Sequence, residues 1–523
     1  MSAIIECKNL THYYGQRKIY ENLSFEVPQG CILGLLGKNG TGKTTTINIL
    51  SGYLQPRSGE CRIFGENIQT MNPALRRNIG LLLEGHVQYQ FMNITQIEKF
   101  YASFYPGQWK KEAYYDLMNK LKVAPVQRIS RMSNGQRSQV ALGLILAQNP
   151  ELLILDDFSL GLDPGYRRLF VDYLRDYARS ENKTVFLTSH IIQDMERLID
   201  DCIIMDYGSI LIQQPIERAE KIYLYCARGL SASVAGNLLS SGCHSSNLGN
   251  VLLFASRGCG ETVEGKSSSL YWFAARKCKS GRCLYRSYRK VLICKLNRRN
   301  MIQAIFYKEW IKTRWYWLLA TLFMIGITGY SMLRIGRTIA IQGIDHLWVV
   351  MVQKDAIFID LLQFVPLLIG ILLAAVQFFP EMQRKCLKLT LHLPYSQKKM
   401  VMSMLAYGVL ALVTCFAMSF IMMGVYLPQH FTSELVQRVL LSAAPWFFAG
   451  FAGYLLVSWI CLEPTWKRRA LNLIIAALIF RVYFLAPGAE AYNSFLPCLT
   501  LYTLLAASLS WISVVRFKAG KQD

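Results

Sequence analysis

Acid is what one stretch of this sequence lacks. Between residues 221 and 300 there are fourteen Lys or Arg and two acids, Glu261 and Glu264. That interval supplies about half of the formal net charge of +23. Outside it, much of the excess base lies in short stretches beside apolar runs, so the total charge reads as a cytoplasmic membrane face rather than a nucleic-acid groove. Paired cysteines are missing too. Of fourteen Cys, six stand at 226, 243, 259, 278, 283 and 294, with no C-x-x-C and no usual metal spacing. This excludes a zinc module or disulfide framework as the organising principle. No cleavable signal peptide is read ahead of the first domain, so the N-terminal half is expected in the cytosol.

Apolar residues, by contrast, are abundant. They make up 52% of the 523 residues, with a mean hydropathy of +0.23. A soluble chain of this length is rarely so apolar, and membrane spans are expected alongside two to four domains.

The first 220 residues carry chemistry. Cys31 to Leu36 reads as a short buried strand after the turn Pro28-Gln29-Gly30. It runs into Gly37-Lys38-Asn39-Gly40-Thr41-Gly42-Lys43-Thr44, and an apolar helix start at Thr45–Leu50 follows. That is the P-loop pattern in its strand–loop–helix context. Glycines let backbone N–H groups curl around phosphate, and the helix N-terminus adds partial positive charge. Lys43 is placed to reach the β- and γ-phosphates and Thr44 to ligate Mg²⁺. Further on, Glu151-Leu-Leu-Ile-Leu-Asp156-Asp157 reads as a buried parallel strand ending in carboxylates. Asp156 suits the Mg²⁺ shell, and Asp157 stands where a general base is wanted.

With these motifs in order, the chain resembles the ATPases of ATP-binding cassette transporters. The signature motif of that family is matched by Ser133-Asn134-Gly135-Gln136. Its D-loop is matched by Ser159-Leu160-Gly161-Leu162-Asp163, its switch histidine by His190, and its adenine-stacking aromatic by Tyr14. The resemblance implies ATP and Mg²⁺ as cofactors. It also implies a nucleotide-contact set of Tyr14, Gly37, Asn39, Gly40, Gly42, Lys43, Thr44, Thr45, Ser133, Gly135, Gln136 and Asp163, and a helical subdomain at about 85–132. Within that region Gln96 to Phe104 and Ala113 to Leu121 read as amphipathic helices. In the family the signature segment caps ATP held by the opposite subunit. Two positions depart from the pattern. Asp157 replaces the usual Glu, and Glu84 stands where Gln is usual, within reach of the Mg²⁺ shell. A carboxylate set back by about 1 Å costs on the order of 100-fold in rate, so slower hydrolysis is expected.

From about Leu224 the texture changes to Ser, Gly, Cys, Arg and Lys without a sustained period. Three readings fit residues 221–300: a disordered basic linker, a small basic domain touching lipid or nucleic acid, or out-of-frame translation. The last is preferred, because Met301 begins a coherent new domain. In that reading an ATPase gene and a permease gene were joined by a frame change.

Residues 301–523 carry six apolar runs, at 315–332, 359–379, 401–426, 439–460, 470–486 and 495–515. Each approaches the length that crosses a bilayer. Arg384, Lys385, Lys388, Lys398 and Lys399 fall on one side, as do Lys467, Arg468, Arg469, Arg516, Lys518 and Lys521. The positive-inside rule puts both termini in the cytosol. The loop 380–399 is long enough to hold a short helix that docks near Glu84.

The expected fold is therefore an α/β P-loop cassette with a helical subdomain, followed by an all-α six-helix transmembrane domain that resembles export-type permeases. The expected function is ATP hydrolysis coupled to export of a small-molecule, lipid or peptide substrate. The chain is expected in the cytoplasmic membrane, as a homodimer or paired with a second half-transporter. Two rivals stand beside it: a slow membrane-anchored ATPase acting as a switch, and a cassette acting on ribosome or DNA. The latter class carries two P-loops, whereas this chain has one.

Overall fold

A computed structural model describes residues 3–120, 123–189, 197–206, 208–215, 243–245, 254–256, 282–353, 358–383, 386–486 and 488–520. The chain divides into two compact units, Met1–Gln88 with Asn93–Met301, and Tyr89–Met92 with Ile302–Asp523.

Among the described residues, the first unit has two larger sheets. The strands are β1 (Ala3–Tyr14), β2 (Arg17–Pro28), β3 (Ile32–Gly37), β4 (Ser58–Ile63), β5 (Glu66–Asn67), β6 (Ile79–Leu82), β7 (Leu152–Leu155), β8 (Thr184–Ser189), β9 (Asp201–Asp206) and β10 (Ser209–Pro215). An antiparallel sheet has the order β2-β1-β4-β5. The larger sheet has the order β10-β9-β3-β8-β7-β6, parallel except for its edge strand β10. Parallel strands covered on both faces need unbroken apolar runs, and Leu152–Leu155 is one, with every side chain at 0% exposure. Phe25 of β2 stacks on Phe186 of β8, ring centroids 5.8 Å apart, joining the two sheets.

Among the described residues, five helices accompany these sheets: α1 (Lys43–Leu50), α2 (Ile94–Ala102), α3 (Lys111–Lys120), α4 (Asn134–Gln148) and α5 (Pro164–Ser180). The sequence places the first helix of the 85–132 region at Gln96, but α2 begins two residues earlier. Asn93 caps it, its side chain accepting from the Gln96 N–H, while the Gln96 side chain accepts from the Asn93 N–H. This reciprocal capping satisfies two otherwise orphaned donors and fixes the start.

Most of the basic segment 221–300 lies outside the described residues. What is described there is a short pair of strands, β11 (Cys243–Ser245) and β12 (Phe254–Ser256), and the backbone of a helix that begins at Arg282.

The described residues of the second unit are almost wholly helical: α6 (Arg282–Gln342), which belongs to this unit from Ile302 onward, α7 (Ile344–Gln353), α8 (Val365–Gln383), α9 (Cys386–His392), α10 (Gln397–Tyr426), α11 (Ser433–Leu462), α12 (Trp466–Val482) and α13 (Leu496–Lys518). Among the described residues, five helical stretches are long and apolar enough to cross a membrane. They are Asn300–Gln342, Asp360–Gln383, Gln397–Gln429, Ser433–Leu462 and Leu496–Lys518. The remaining expected span, 470–486, falls on α12, a helix of 17 residues. Small residues let the helices approach closely, as membrane bundles require. A side chain on Gly370 of α8 would collide with the Gly450 backbone of α11, and one on Gly408 of α10 with the Tyr454 ring.

Four buried charges tie this unit together where α6 enters the bundle. Lys308 Nζ lies 2.9 Å from Glu381 Oε1 and 3.2 Å from Glu309 Oε1. Lys312 Nζ lies 2.7 Å from Glu381 Oε1 and 2.9 Å from Glu309 Oε2. Thr390 of α9 donates to Glu381 Oε2 at 3.2 Å, so the loop helix is bound into the same network. Two cations against two anions leave no net charge buried, the condition under which such a cluster is tolerated.

Candidate functional site

β3 ends at Gly37, and the chain turns through Lys38–Gly42 before α1 begins at Lys43. Gly40 and Gly42 take φ of +88° and +108°, a region that side-chain-bearing residues avoid. Gly37 is required for space, because a Cβ there would stand 2.6 Å from the Met205 carbonyl oxygen. Lys43 curls back over the loop, donating to the carbonyls of Gly37 at 2.5 Å and Lys38 at 2.9 Å. Burial pushes its ammonium below the ordinary lysine range, partly offset by the carboxylates of Asp157 and Asp156.

The loop opens on a cavity of about 400 Å³. Of the residues expected at the nucleotide, Tyr14, Asn39, Gly40, Gly42, Lys43, Thr44, Thr45, Glu84, Asp156 and Asp157 line it. They arrive from separate strand ends: Tyr14 from β1, Glu84 after β6, and the two aspartates after β7. Tyr14 is 39% exposed and meets the His12 ring edge-on, centroids 4.8 Å apart. Gly37 does not line the cavity, and its carbonyl accepts from Lys43.

Ser133, Gly135, Gln136 and Asp163 do not line this cavity. Ser133 caps α4 in a capping box with Gln136. Gly135 is buried, and a side chain there would strike the Tyr166 ring. Asp163 precedes Pro164 at the start of α5. His190 lies outside the described residues.

Leu160 of the D-loop match lines the cavity as well, and so do Arg17, Ile19 and Thr188, which the motifs do not single out. The signal for Arg17 is its place three residues after Tyr14. For Thr188 it is its place two residues before His190.

Among the described residues, no group of three or more His, Cys, Asp and Glu is placed to hold a metal ion unaided. Mg²⁺ does not ask for such a cage, since it takes one or two carboxylates together with phosphate oxygens and water. Asp156 and Thr44 beside a phosphate-shaped loop fit that demand.

A P-loop opening on a carboxylate-bearing cavity, in a chain that continues into membrane-length helices, defines a membrane-bound ATPase. The model of the family described as "ABC transporter" matches residues 20–159. The bacitracin transport ATP-binding protein BcrA of Bacillus licheniformis is 34% identical over 224 residues, 42% of this chain and 72% of that protein. The energy-coupling factor transporter ATP-binding protein EcfA2 of Clostridioides difficile is 34% identical over 230 residues, 40% of this chain and 77% of that protein. The Nod factor export ATP-binding protein I of Cupriavidus metallidurans is 31% identical over 214 residues, 40% and 70%. A solved nucleotide-free ATP-binding cassette from an ABC transporter aligns at 21% identity and a TM-score of 0.37, covering 42% of this chain and 95% of that one. The chain belongs to the ABC transporter family. It is an ATP-binding, ATP-hydrolysing cassette fused to a bundle of membrane-length helices, a multi-pass inner-membrane architecture consistent with ATP-driven export of an unspecified substrate.

Proposed function

We propose that the chain is a half-transporter in which two copies, or one copy and a second half-transporter, close on ATP and hydrolyse it to move a substrate outward. The observation that carries this reading is a division of motifs. The loop, Tyr14 and the carboxylates line one cavity, while Ser133, Gly135 and Gln136 stand away from it in the same chain. A site completed by the signature segment of a second copy accounts for that division.

Within each site, Tyr14 stacks on adenine, and the Gly40–Thr45 backbone and Lys43 hold the phosphates. Thr44 and Asp156 hold Mg²⁺, with Glu84 at its shell. When bound, the ion neutralises charge on the phosphates. Asp157 orients or deprotonates the attacking water, and His190 and Asp163 complete the set. The helix α9 in the loop between α8 and α10 couples the nucleotide cycle to the membrane helices. The substrate is a small molecule, lipid or peptide, and one relative is named for bacitracin transport.

The test is direction. Full-length chain, checked by intact mass, is reconstituted with cassettes facing outward and offered labelled bacitracin, phospholipid and short peptides. Mg·ATP-dependent accumulation of at least one inside the vesicle is expected. ATP-dependent release of preloaded compound instead would overturn export.

A further inference from the structure

The two carboxylates after β7 do not hold their positions alone. Thr188, two residues short of the switch-histidine position, sits near the end of β8 and is fully buried. Its Oγ1 donates to Asp156 Oδ1 at 3.0 Å and accepts the backbone N–H of Asp157, also at 3.0 Å. One hydroxyl has one proton to give, and here its donor goes to one aspartate while its lone pair serves the next.

The topology explains why this residue is available. β7 and β8 run parallel with Leu155 opposite Leu187, so the next positions outward are Asp156 and Thr188. The ladder ends there. The Asp156 N–H turns to the Leu82 carbonyl of β6 at 2.9 Å, and the chain breaks out of the strand. Asp157 then takes φ of +42°, a left-handed conformation uncommon for any residue but glycine, with Asp and Asn the usual exceptions. A half-buried backbone that has turned out of its strand leaves an amide that needs a partner. The Thr188 hydroxyl supplies it, and Thr188 itself lines the nucleotide cavity.

We infer that Thr188 is a positioning residue for ATP hydrolysis: its hydroxyl fixes the rotation of the Asp156 carboxylate and pins the left-handed backbone from which Asp157 enters the cavity. This rests on the reading that Asp156 and Asp157 serve Mg²⁺ and water. A shorter carboxylate tolerates less error in its backbone than a longer one, because it has one fewer torsion with which to recover its place. Displacement by about 1 Å at such a group costs on the order of 100-fold in rate. The chemistry of Thr188 is indirect, since it acts only through the two aspartates.

The experiment compares Thr188→Val, which keeps the shape and removes the hydroxyl, with Thr188→Ser, which keeps the hydroxyl and removes the methyl. Three quantities are read on the full chain in detergent: turnover at saturating ATP, affinity for ATP without Mg²⁺, and the Mg²⁺ concentration giving half-maximal turnover. In Thr188→Val, turnover is expected to fall at least tenfold and the Mg²⁺ requirement to rise. ATP affinity without Mg²⁺ is expected to stay within about twofold, and exchange of the Asp157 amide to accelerate. Thr188→Ser is expected to keep at least half the turnover with an unchanged Mg²⁺ requirement. If Thr188→Val does not fold, Thr188→Ser decides: turnover below a tenth of the original overturns the proposal. So does a Thr188→Val variant within twofold of the original in turnover, or one that loses Mg²⁺-free ATP affinity in step with it. Should Asp157→Asn leave turnover unchanged, the reading of Asp157 itself has failed, which separates that failure from a failure of Thr188.

Discussion

The Lys43 ammonium lies 2.5 Å from the Gly37 carbonyl oxygen, six residues back along its own loop. The loop therefore satisfies its cation internally, so the fold does not depend on phosphate to hold Lys43. Replacing Lys43 with Ala is expected to leave the melting temperature within a few degrees of the original and to abolish measurable ATP turnover. Calorimetry and a phosphate-release assay on the same preparation check both. Unfolding of the variant would show that Lys43 holds the loop together.

Gly135 separates packing from function at the α4 N-terminus. Ala at this position collides with the Tyr166 ring and is expected to cost about 1–3 kcal/mol, as overpacking usually does. Adding Tyr166→Ala removes the obstacle. The double variant is expected to recover stability without recovering turnover, if Gly135 faces the nucleotide of a second copy. Recovery of both in denaturant-unfolding and turnover assays would reduce Gly135 to a packing residue.

His86 gives the cassette an acid sensitivity. Burial, with Arg137 nearby, pushes its imidazole down to about 4. Between the ordinary value of 6.5 and 4, the unfolded chain takes up a proton that the folded chain refuses, so stability falls as pH drops through that window and levels off below it. The whole window is worth about 3 kcal/mol. Asn keeps the left-handed backbone at this position, φ +50°, and has no proton to gain. His86→Asn is expected to flatten the difference in unfolding midpoint between pH 7 and pH 5. An equal drop in both proteins would assign the sensitivity elsewhere.

In the membrane unit, Glu381 serves both Lys308 and Lys312. Glu381→Gln leaves two buried cations with Glu309 as the remaining carboxylate of the cluster. Breaking such a cluster costs about 3–5 kcal/mol. A lower unfolding temperature in detergent is expected, and restoration by adding Lys308→Met would show that charge imbalance, not shape, is the cause.

The cavity lined by the P-loop and the two aspartates was readable because its parts are local. Gly40, Gly42, Lys43 and the Asp156-Asp157 pair occupy fixed places in short segments, and their neighbours in sequence dictate the backbone. Arg17 and Thr188 were not readable, because their roles come from strand neighbours: Thr188 reaches Asp156 only once β8 lies beside β7. The same holds for Glu381, which meets Lys308 across seventy-three residues of chain. The α2 boundary was misjudged by two residues although Asn93 and Gln96 had the spacing of a capping box. The helical bundle was legible from apolar run length alone, while the short α12 was the span whose length gave the weakest signal.

In the mechanism proposed above, ATP is hydrolysed through Asp157 despite its shorter reach. The decisive measurement is turnover of the full-length chain in proteoliposomes for the original, Asp157→Asn and Asp157→Glu. Mg²⁺-dependent hydrolysis by the original, a fall of at least about 100-fold in Asp157→Asn, and a gain in Asp157→Glu are expected. Equal turnover in the original and Asp157→Asn would rule out that role.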